Sequence, residues 1–67
     1  MPRSTREYLK RYCDQIINNH ERAAEIMVNM LEMYGDRYPE HTTFLQNMLL
    51  VNVSIIEAFN KFRDEMI

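Results

Sequence analysis

Residues 5–34, TREYLKRYCDQIINNHERAAEIMVNMLEMY, decide the fold, because apolar side chains recur in them at alternating steps of three and four. The same period returns after the only glycine, Gly35, and continues to the end of the chain. This heptad pattern is typical of helices that bury one side against another helix, so it predicts two long helices folded back on each other. The seam residues are Leu9, Cys13, Ile16, His20, Ala23, Met27, Met30 and Tyr34, followed by Leu45, Met48, Asn52, Ile55, Phe59, Phe62 and Met66.

Local signals mark the ends of the two helices. Ser4 and Glu7 have the spacing of a capping box, which predicts that the first helix begins at Thr5. Gly35 follows the last seam residue, at the position where a left-handed residue commonly ends a helix. The sequence thus predicts one domain over residues 1–67, with a first helix at about 5–34, a turn at 35–39 and a second helix at about 40–66.

The second helix has two candidate starts. Asp36 could cap it, and Pro39 suits a first helical turn because its missing N–H needs no partner there. A second capping-box pattern at residues 43–46 leaves a start at Phe44 open. Residues 49–56 are rich in β-branched side chains, so a strand is the alternative for this stretch, although the helical period runs through it.

The length and the width of the apolar faces predict an assembly. A chain of 67 residues with a single cysteine has no internal disulfide, and it shows no zinc-binding spacing of Cys and His. So short a chain rarely folds on one core without a disulfide, a structural metal or a partner subunit. We therefore expect an all-α, antiparallel two-helix hairpin that forms a homodimer, a four-helix bundle, or a higher even oligomer. The predicted interface residues are Leu9, Ile16, Met27, Met48, Ile55, Phe59 and Phe62.

Two polar residues interrupt the seams. A fold at about residue 37 places His20 opposite residue 54, with Asn52 within one helical turn, and Asn19 and Ser54 at a similar height. A buried polar layer of this kind fixes the register of helices, which is the interpretation that we favour for His20 and Asn52. The alternatives are a metal site from two His20 copies and a pH switch, in which protonation of His20 loosens the dimer.

The basic start of the chain is a candidate contact for nucleic acid. Its cations are Arg3, Arg6, Lys10 and Arg11. Tyr8 and Tyr12 are interleaved with them and could stack on bases. Acidic residues near the C-terminus offset this charge, so a solvated helix end is the favoured interpretation.

Two further surfaces are candidates for a protein partner. The turn end is rich in methionine and tyrosine, which suit adaptable binding surfaces; its residues are Met30, Met33, Tyr34 and Tyr38. An acidic stripe on the first helix comprises Asp14, Glu21, Glu25 and Glu32. We expect this stripe to be solvated or to face a basic partner.

The function is predicted mainly by elimination. The formal net charge is −2, the start of the chain does not resemble a signal peptide, and the longest apolar run, residues 48–51, is far shorter than a membrane span. A single cysteine fits a reducing compartment, so we expect a cytoplasmic protein without membrane contact. With no catalytic, metal or cofactor motif, we expect a small non-enzymatic protein–protein interaction module, such as a regulator, inhibitor or assembly adaptor. Nucleic-acid binding is the alternative.

Overall fold

The computed structural model describes residues 4–67, and its regular structure there is all helical. Helix α1 spans Thr5–Tyr34, and helix α2 spans Pro39–Lys61 and continues as a π-helical segment, Phe62–Met66. The two helices pack against each other, which confirms the predicted helical hairpin. Residues 49–56 lie inside α2, so the strand alternative is wrong.

The ends of α1 follow the sequence signals in part. The hydroxyl oxygen of Ser4 accepts a hydrogen bond from the backbone N–H of Glu7 at 3.3 Å, as the capping box predicts. The prediction of a left-handed Gly35 is wrong, since its φ is −55° and its ψ is −39°. Space explains the glycine instead, because a Cβ at this position would lie 2.5 Å from the carbonyl oxygen of Leu31.

The turn fastens the first residues of α2 to the end of α1. α2 begins at Pro39, the earlier of its two candidate starts, and no side chain caps it. The prediction that Asp36 caps α2 is therefore wrong, since Tyr38 is the residue that precedes the helix. The Thr42 hydroxyl donates instead to the carbonyl oxygen of Gly35 at 2.9 Å, which joins the two helices across the turn.

The line of contact between the helices differs from the predicted seams by a rotation. Its buried or half-buried residues are Cys13, Ile17, His20, Ala24, Met27 and Leu31 on α1, and Leu45, Leu49, Asn52, Ile56 and Phe59 on α2. At about 100° per residue, the predicted seams lie roughly 50° to one side of this line on both helices. Predicted seam residues such as Leu9, Met30 and Met48 are consequently exposed in the hairpin.

The hairpin is a rod that is only one helix thick. It measures 55 × 19 × 11 Å, and its radius of gyration of 15.7 Å exceeds the roughly 11 Å of a compact domain of this length. Its accessible surface is 5530 Å², against about 4,500 Å² for a compact monomer of the same mass. Roughly 1,000 Å² more surface than a compact fold needs is therefore in contact with water.

Candidate functional site

One face of this layer is apolar on both helices, and we call it the apolar face. Rotation of about 100° per residue, combined with the contact line, places a row from each helix on it. The rows are Leu9, Tyr12, Ile16, Ala23, Ile26 and Met30 on α1, and Phe44, Met48, Val51, Ile55, Ala58, Phe62 and Met66 on α2. Phe44 is 61% exposed and Met66 is 76% exposed. Of the predicted interface residues, Met27 and Phe59 lie at the hairpin contact, and the other five lie on this face.

The apolar face has a cavity near each of its ends. The turn-end cavity has a volume of about 290 Å³, and its lining includes Met30, Tyr34, Tyr38, His41 and Phe44. The rings of Tyr38 and His41 stack in its wall, with centroids 5.0 Å apart. The open-end cavity, of about 440 Å³, is lined by Ala58, Phe59, Phe62 and Met66.

The structure brings most of the predicted turn-end surface together at the first cavity. Met30, Tyr34 and Tyr38 all line it. Met33 does not belong to this lining, and its side chain is 66% exposed. The sequence did not indicate His41 as part of the site, because His41 does not follow the heptad seam.

The opposite face of the layer carries carboxylates, and we call it the acidic face. By the same rotation, its acidic residues are Asp14, Glu21, Glu25 and Glu32 on α1, and Glu57 and Asp64 near the end of the hairpin. Val28, Leu50 and Val53 are exposed among them. This face therefore combines negative charge with isolated apolar side chains.

Arg63 joins the C-terminal segment to α1 on the acidic face. Its guanidinium donates to Asp14 at 2.6 Å, to Asp64 at 2.9 Å and to the side-chain oxygen of Asn60 at 2.8 Å. The hydrogen bonds to Asp64 and Asp14 raise the pKa of Arg63. The hydrogen bond from Arg63 also lowers the pKa of Asp64 below its ordinary value. Asp14 thus belongs to an ion pair between residues 49 positions apart.

His20 and Asn52 meet halfway along the hairpin. The side-chain oxygen of Asn52 lies 2.6 Å from Nδ1 of His20, and the side-chain amide of Asn52 donates to the backbone carbonyl of His20. Asn52 is only 4% exposed, and His20 is half-buried. Residue 54 is therefore not the residue opposite His20, since Ser54 donates to the carbonyl of Leu50 in its own helix at 3.0 Å. Asn19, at a similar height, is exposed.

The hydrogen bonds between His20 and Asn52 indicate which ring nitrogen of His20 carries the hydrogen. A carbonyl oxygen only accepts, so the NH₂ group of Asn52 must face the backbone of His20. The oxygen of Asn52 then faces Nδ1 of His20, which must carry a hydrogen to donate.

No protein-family model, curated protein or solved structure matches this chain. Within residues 4–67, no group of three or more His, Cys, Asp or Glu residues could hold a metal ion. The turn-end cavity and the open-end cavity are lined mainly by aromatic and aliphatic side chains.

The basic start does not form one surface with its tyrosines. Arg3 lies outside the described residues. Arg6 and Lys10 lie on the side of α1 that faces the C-terminal segment, where the charge of Lys10 contributes to the lowered pKa of Asp64. Tyr8 and Tyr12 lie on roughly the opposite side of the helix. By the same rotation, Arg11 lies roughly 60° from Tyr8 around the helix.

Cys13 lies in the hairpin contact and is only 3% exposed. It is a free thiol, and it faces α2 rather than the apolar face. Its packing is that of a small apolar side chain, as expected for a cysteine without a neighbouring base.

The second helix also has the length and composition of a membrane span. Residues Pro39–Met66 form 28 helical residues, with a mean hydropathy of 1.2 in their most apolar stretch. This is weak evidence, because helices that pack in an assembly meet the same criterion. In the hairpin, α2 packs along α1, which is charged along its length, so α2 would have to leave α1 before crossing a bilayer.

Proposed function

We propose that this chain is a small non-enzymatic protein–protein interaction module that assembles as a homodimeric four-helix bundle. The observation that carries the proposal is the apolar face, to which both helices contribute and which exposed Asn19 interrupts on α1. Exposed apolar patches of this extent mark interfaces. A second copy is the simplest partner, because a two-fold dimer covers the same face on both chains.

The rotation of the seams supports a bundle over an isolated hairpin. In a two-helix coiled coil, each seam points straight at the other helix. In a four-helix bundle, each helix packs against two neighbours, so its seam points between them towards the bundle axis. Both seams of this chain point between the hairpin contact and the apolar face, as a second hairpin stacked on that face requires.

The surface area is sufficient for such a dimer. A stable interface buries about 800 Å² on each partner. The hairpin exposes roughly 1,000 Å² more than a compact chain of its mass would expose. Stacking two hairpins on their apolar faces therefore restores an ordinary ratio of surface to mass.

The acidic face stays accessible in this dimer and is the surface that we assign to a second protein. Leu50 and Val53, which are 67% and 41% exposed, offer apolar anchors among the carboxylates. Such a surface suits a basic segment with apolar side chains. A dimer presents two copies of the face, which fits a regulator or an assembly adaptor.

Light scattering and two matched variants test the dimer. We expect the purified chain to have twice its monomer mass of 8.1 kDa. Met48→Lys, in the middle of the apolar face, is expected to give monomers, whereas Val53→Lys on the acidic face leaves the dimer intact. A monomeric wild-type chain, or a dimeric Met48→Lys variant, would contradict the proposal.

Affinity capture from the source cell extract tests the second partner. Wild-type chain and Leu50→Asp are compared as baits, since Leu50→Asp removes an anchor without touching the apolar face. We expect a protein that the wild type retains and the variant loses. Failure of the wild-type dimer to retain any specific protein would count against an adaptor role.

Nucleic-acid binding is the second candidate. The exposed rings of Tyr8 and Tyr12, 45% and 57% exposed, lie beside Arg11 and favour it. It predicts an affinity for a single-stranded oligonucleotide that falls steeply with salt and is lost in Arg11→Glu. An affinity that is insensitive to both changes would contradict this candidate.

A further inference from the structure

We infer that the two copies stack with their turns at opposite ends, so that α1 lies on α1 of the second copy and α2 lies on α2. This inference rests on the proposed dimer and goes one step beyond it. Face-to-face hairpins can instead have both turns at one end, and α1 would then lie on α2 of the second copy. Self-complementarity, cavity positions and charge distinguish the two arrangements.

Two pairs in the apolar row of α1 are symmetric about its midpoint, and the remaining two residues, Tyr12 and Ile26, pair about residue 19, half a residue away. Leu9 and Met30 are equally far from a point between residues 19 and 20, and so are Ile16 and Ala23. The row of α2 is symmetric about residue 53; its pairs are Phe44 with Phe62, Met48 with Ala58, and Val51 with Ile55. A two-fold axis across a helix pairs residues that are symmetric in this way.

The contact between His20 and Asn52 shows that the two midpoints coincide in space. Because these residues lie opposite each other, the midpoint of α1 is level with a point between residues 52 and 53. The two symmetry centres thus agree within one helical residue, or about 1.5 Å. A single axis at the level of His20 and Asn52 therefore matches both rows at once.

The cavities are complementary in this arrangement. The same axis places Phe62 of the second copy over Phe44, and Met66 of the second copy at Glu40, one residue before His41. Phe62 and Met66 belong to the wall of the open-end cavity, so Phe62 of the second copy would enter the turn-end cavity and Met66 would lie at its edge. The two-fold symmetry repeats the contact at the other end, so the turn-end and open-end cavities of both copies are covered.

The charge of the two ends favours the same arrangement. The turn end has three acids, Glu32, Asp36 and Glu40, against Arg37. The described part of the open end is balanced; its bases are Arg6, Lys10, Arg11, Lys61 and Arg63, and its acids are Glu7, Asp14, Glu57, Asp64 and Glu65. Turns at one end would bring the two acidic turn ends together, whereas turns at opposite ends place each of them against a neutral end.

Mixing two charged variants tests the stacking. Phe44→Lys and Phe62→Glu each place a charge in an apolar contact, so each purified variant is expected to lose dimer by at least tenfold in the dissociation constant. The two positions are roughly 27 Å apart along one helix, so their charges do not meet within a chain. A mixed dimer with turns at opposite ends has two such contacts. In one, the introduced lysine at position 44 faces the introduced glutamate at position 62 of the other copy. In the other, Phe62 faces Phe44 as in the wild type. We therefore expect the mixture to recover dimer.

Each outcome decides between the arrangements. Recovery of the dimer on mixing supports the inference. The control is a mixture of Val53→Lys with Phe62→Glu, in which we expect no dimer beyond the homodimer that Val53→Lys forms alone. Weakened variants that do not recover on mixing would overturn the stacking and leave the proposed dimer standing. Variants that dimerise as well as the wild type would also overturn it, and a monomeric wild type would overturn the proposed dimer itself. Met66→Glu replaces Phe62→Glu if circular dichroism shows that the latter unfolds, since Phe62 packs edge-on against Phe59.

Discussion

The side chain of Asn52 holds both the ring and the backbone of His20, a residue 32 positions away on the other helix. One amide group thus satisfies a side chain and a carbonyl at the same time. A slip of one residue moves the helices by about 1.5 Å, which breaks both hydrogen bonds and leaves a buried amide unpaired. We therefore expect the pair to set the register of the hairpin more firmly than the apolar contacts around it.

Asn52→Leu is expected to destabilise the chain by about 1–3 kcal/mol, because it leaves the Nδ1 hydrogen of His20 without its partner. Thermal unfolding followed by circular dichroism measures the change. The matched control is Asn47→Leu on the exposed surface of α2, which we expect to change stability by about 0.5 kcal/mol or less. Equal effects of the two substitutions would contradict the role assigned to the pair.

Replacing both partners separates stability from register. In His20→Leu/Asn52→Leu both polar side chains are removed, and the backbone carbonyl of residue 20 loses the Asn52 amide but keeps its place in the hydrogen-bonded backbone of α1. We therefore expect a stability equal to or above that of the wild type. Without the polar pair, helix registers and assembly sizes become degenerate, as in coiled coils that lack a buried asparagine. Analytical ultracentrifugation should show several species for the double variant and one for the wild type. A single species for both would show that the apolar contacts suffice.

The proton on His20 gives a spectroscopic prediction. We expect neutral His20 to carry its hydrogen on Nδ1, because Nδ1 faces the oxygen of Asn52. Two-bond ¹H–¹⁵N correlations of the ring distinguish this tautomer from the Nε2–H form, and exposed His41 serves as the internal reference. A ring with its hydrogen on Nε2 at pH 8 would mean that the amide of Asn52 has the opposite orientation.

Periodicity was sufficient to predict the helices but not how each is rotated. The steps of three and four residues give the helices and the turn, since a period of 3.6 is a local property of the chain. The same steps reflect every neighbour that a helix packs against, so the predicted seam points to the mean direction of those neighbours and not to one of them. Ile17, which lies beside the predicted seam, is buried in the hairpin, whereas the seam residue Leu9 is exposed. The rotation becomes visible only once the contact within one chain is known.

Contacts between distant residues were the other part that the sequence could not give. The level of His20 was predicted to within one turn, but its partner depends on a turn that closes one residue earlier than the assumed fold point. The ion pair of Asp14 with Arg63 depends on the same geometry over 49 positions. Glycine at position 35 was a correct sign of the turn, but its reason is a close contact rather than a left-handed backbone.

Gly35→Ala is expected to destabilise the hairpin by about 1–3 kcal/mol, since its Cβ would overlap the carbonyl oxygen of Leu31, which cannot move without the helix. The backbone angles themselves suit alanine, so the contact alone causes the loss. Thermal unfolding measures it, with Asp36→Ala as the neighbouring exposed control. An unchanged or raised melting temperature for Gly35→Ala would mean that the turn relaxes at no cost.

Removing the guanidinium of Arg63 is expected to raise the pKa of Asp64 towards its ordinary value of 3.8, because the hydrogen bond from Arg63 is the main cause of the lowered pKa. A carboxyl group whose pKa is lowered by folding adds stability above its ordinary value, and this contribution is lost as the pH falls through the folded pKa. Arg63→Gln should therefore flatten the dependence of stability on pH below about pH 4. Carboxyl ¹³C shifts of Asp64 between pH 2 and 6 measure the pKa directly. Lys61→Gln removes the same charge without a hydrogen bond to Asp64 and is the control, so an equal shift in both variants would make the effect one of net charge alone.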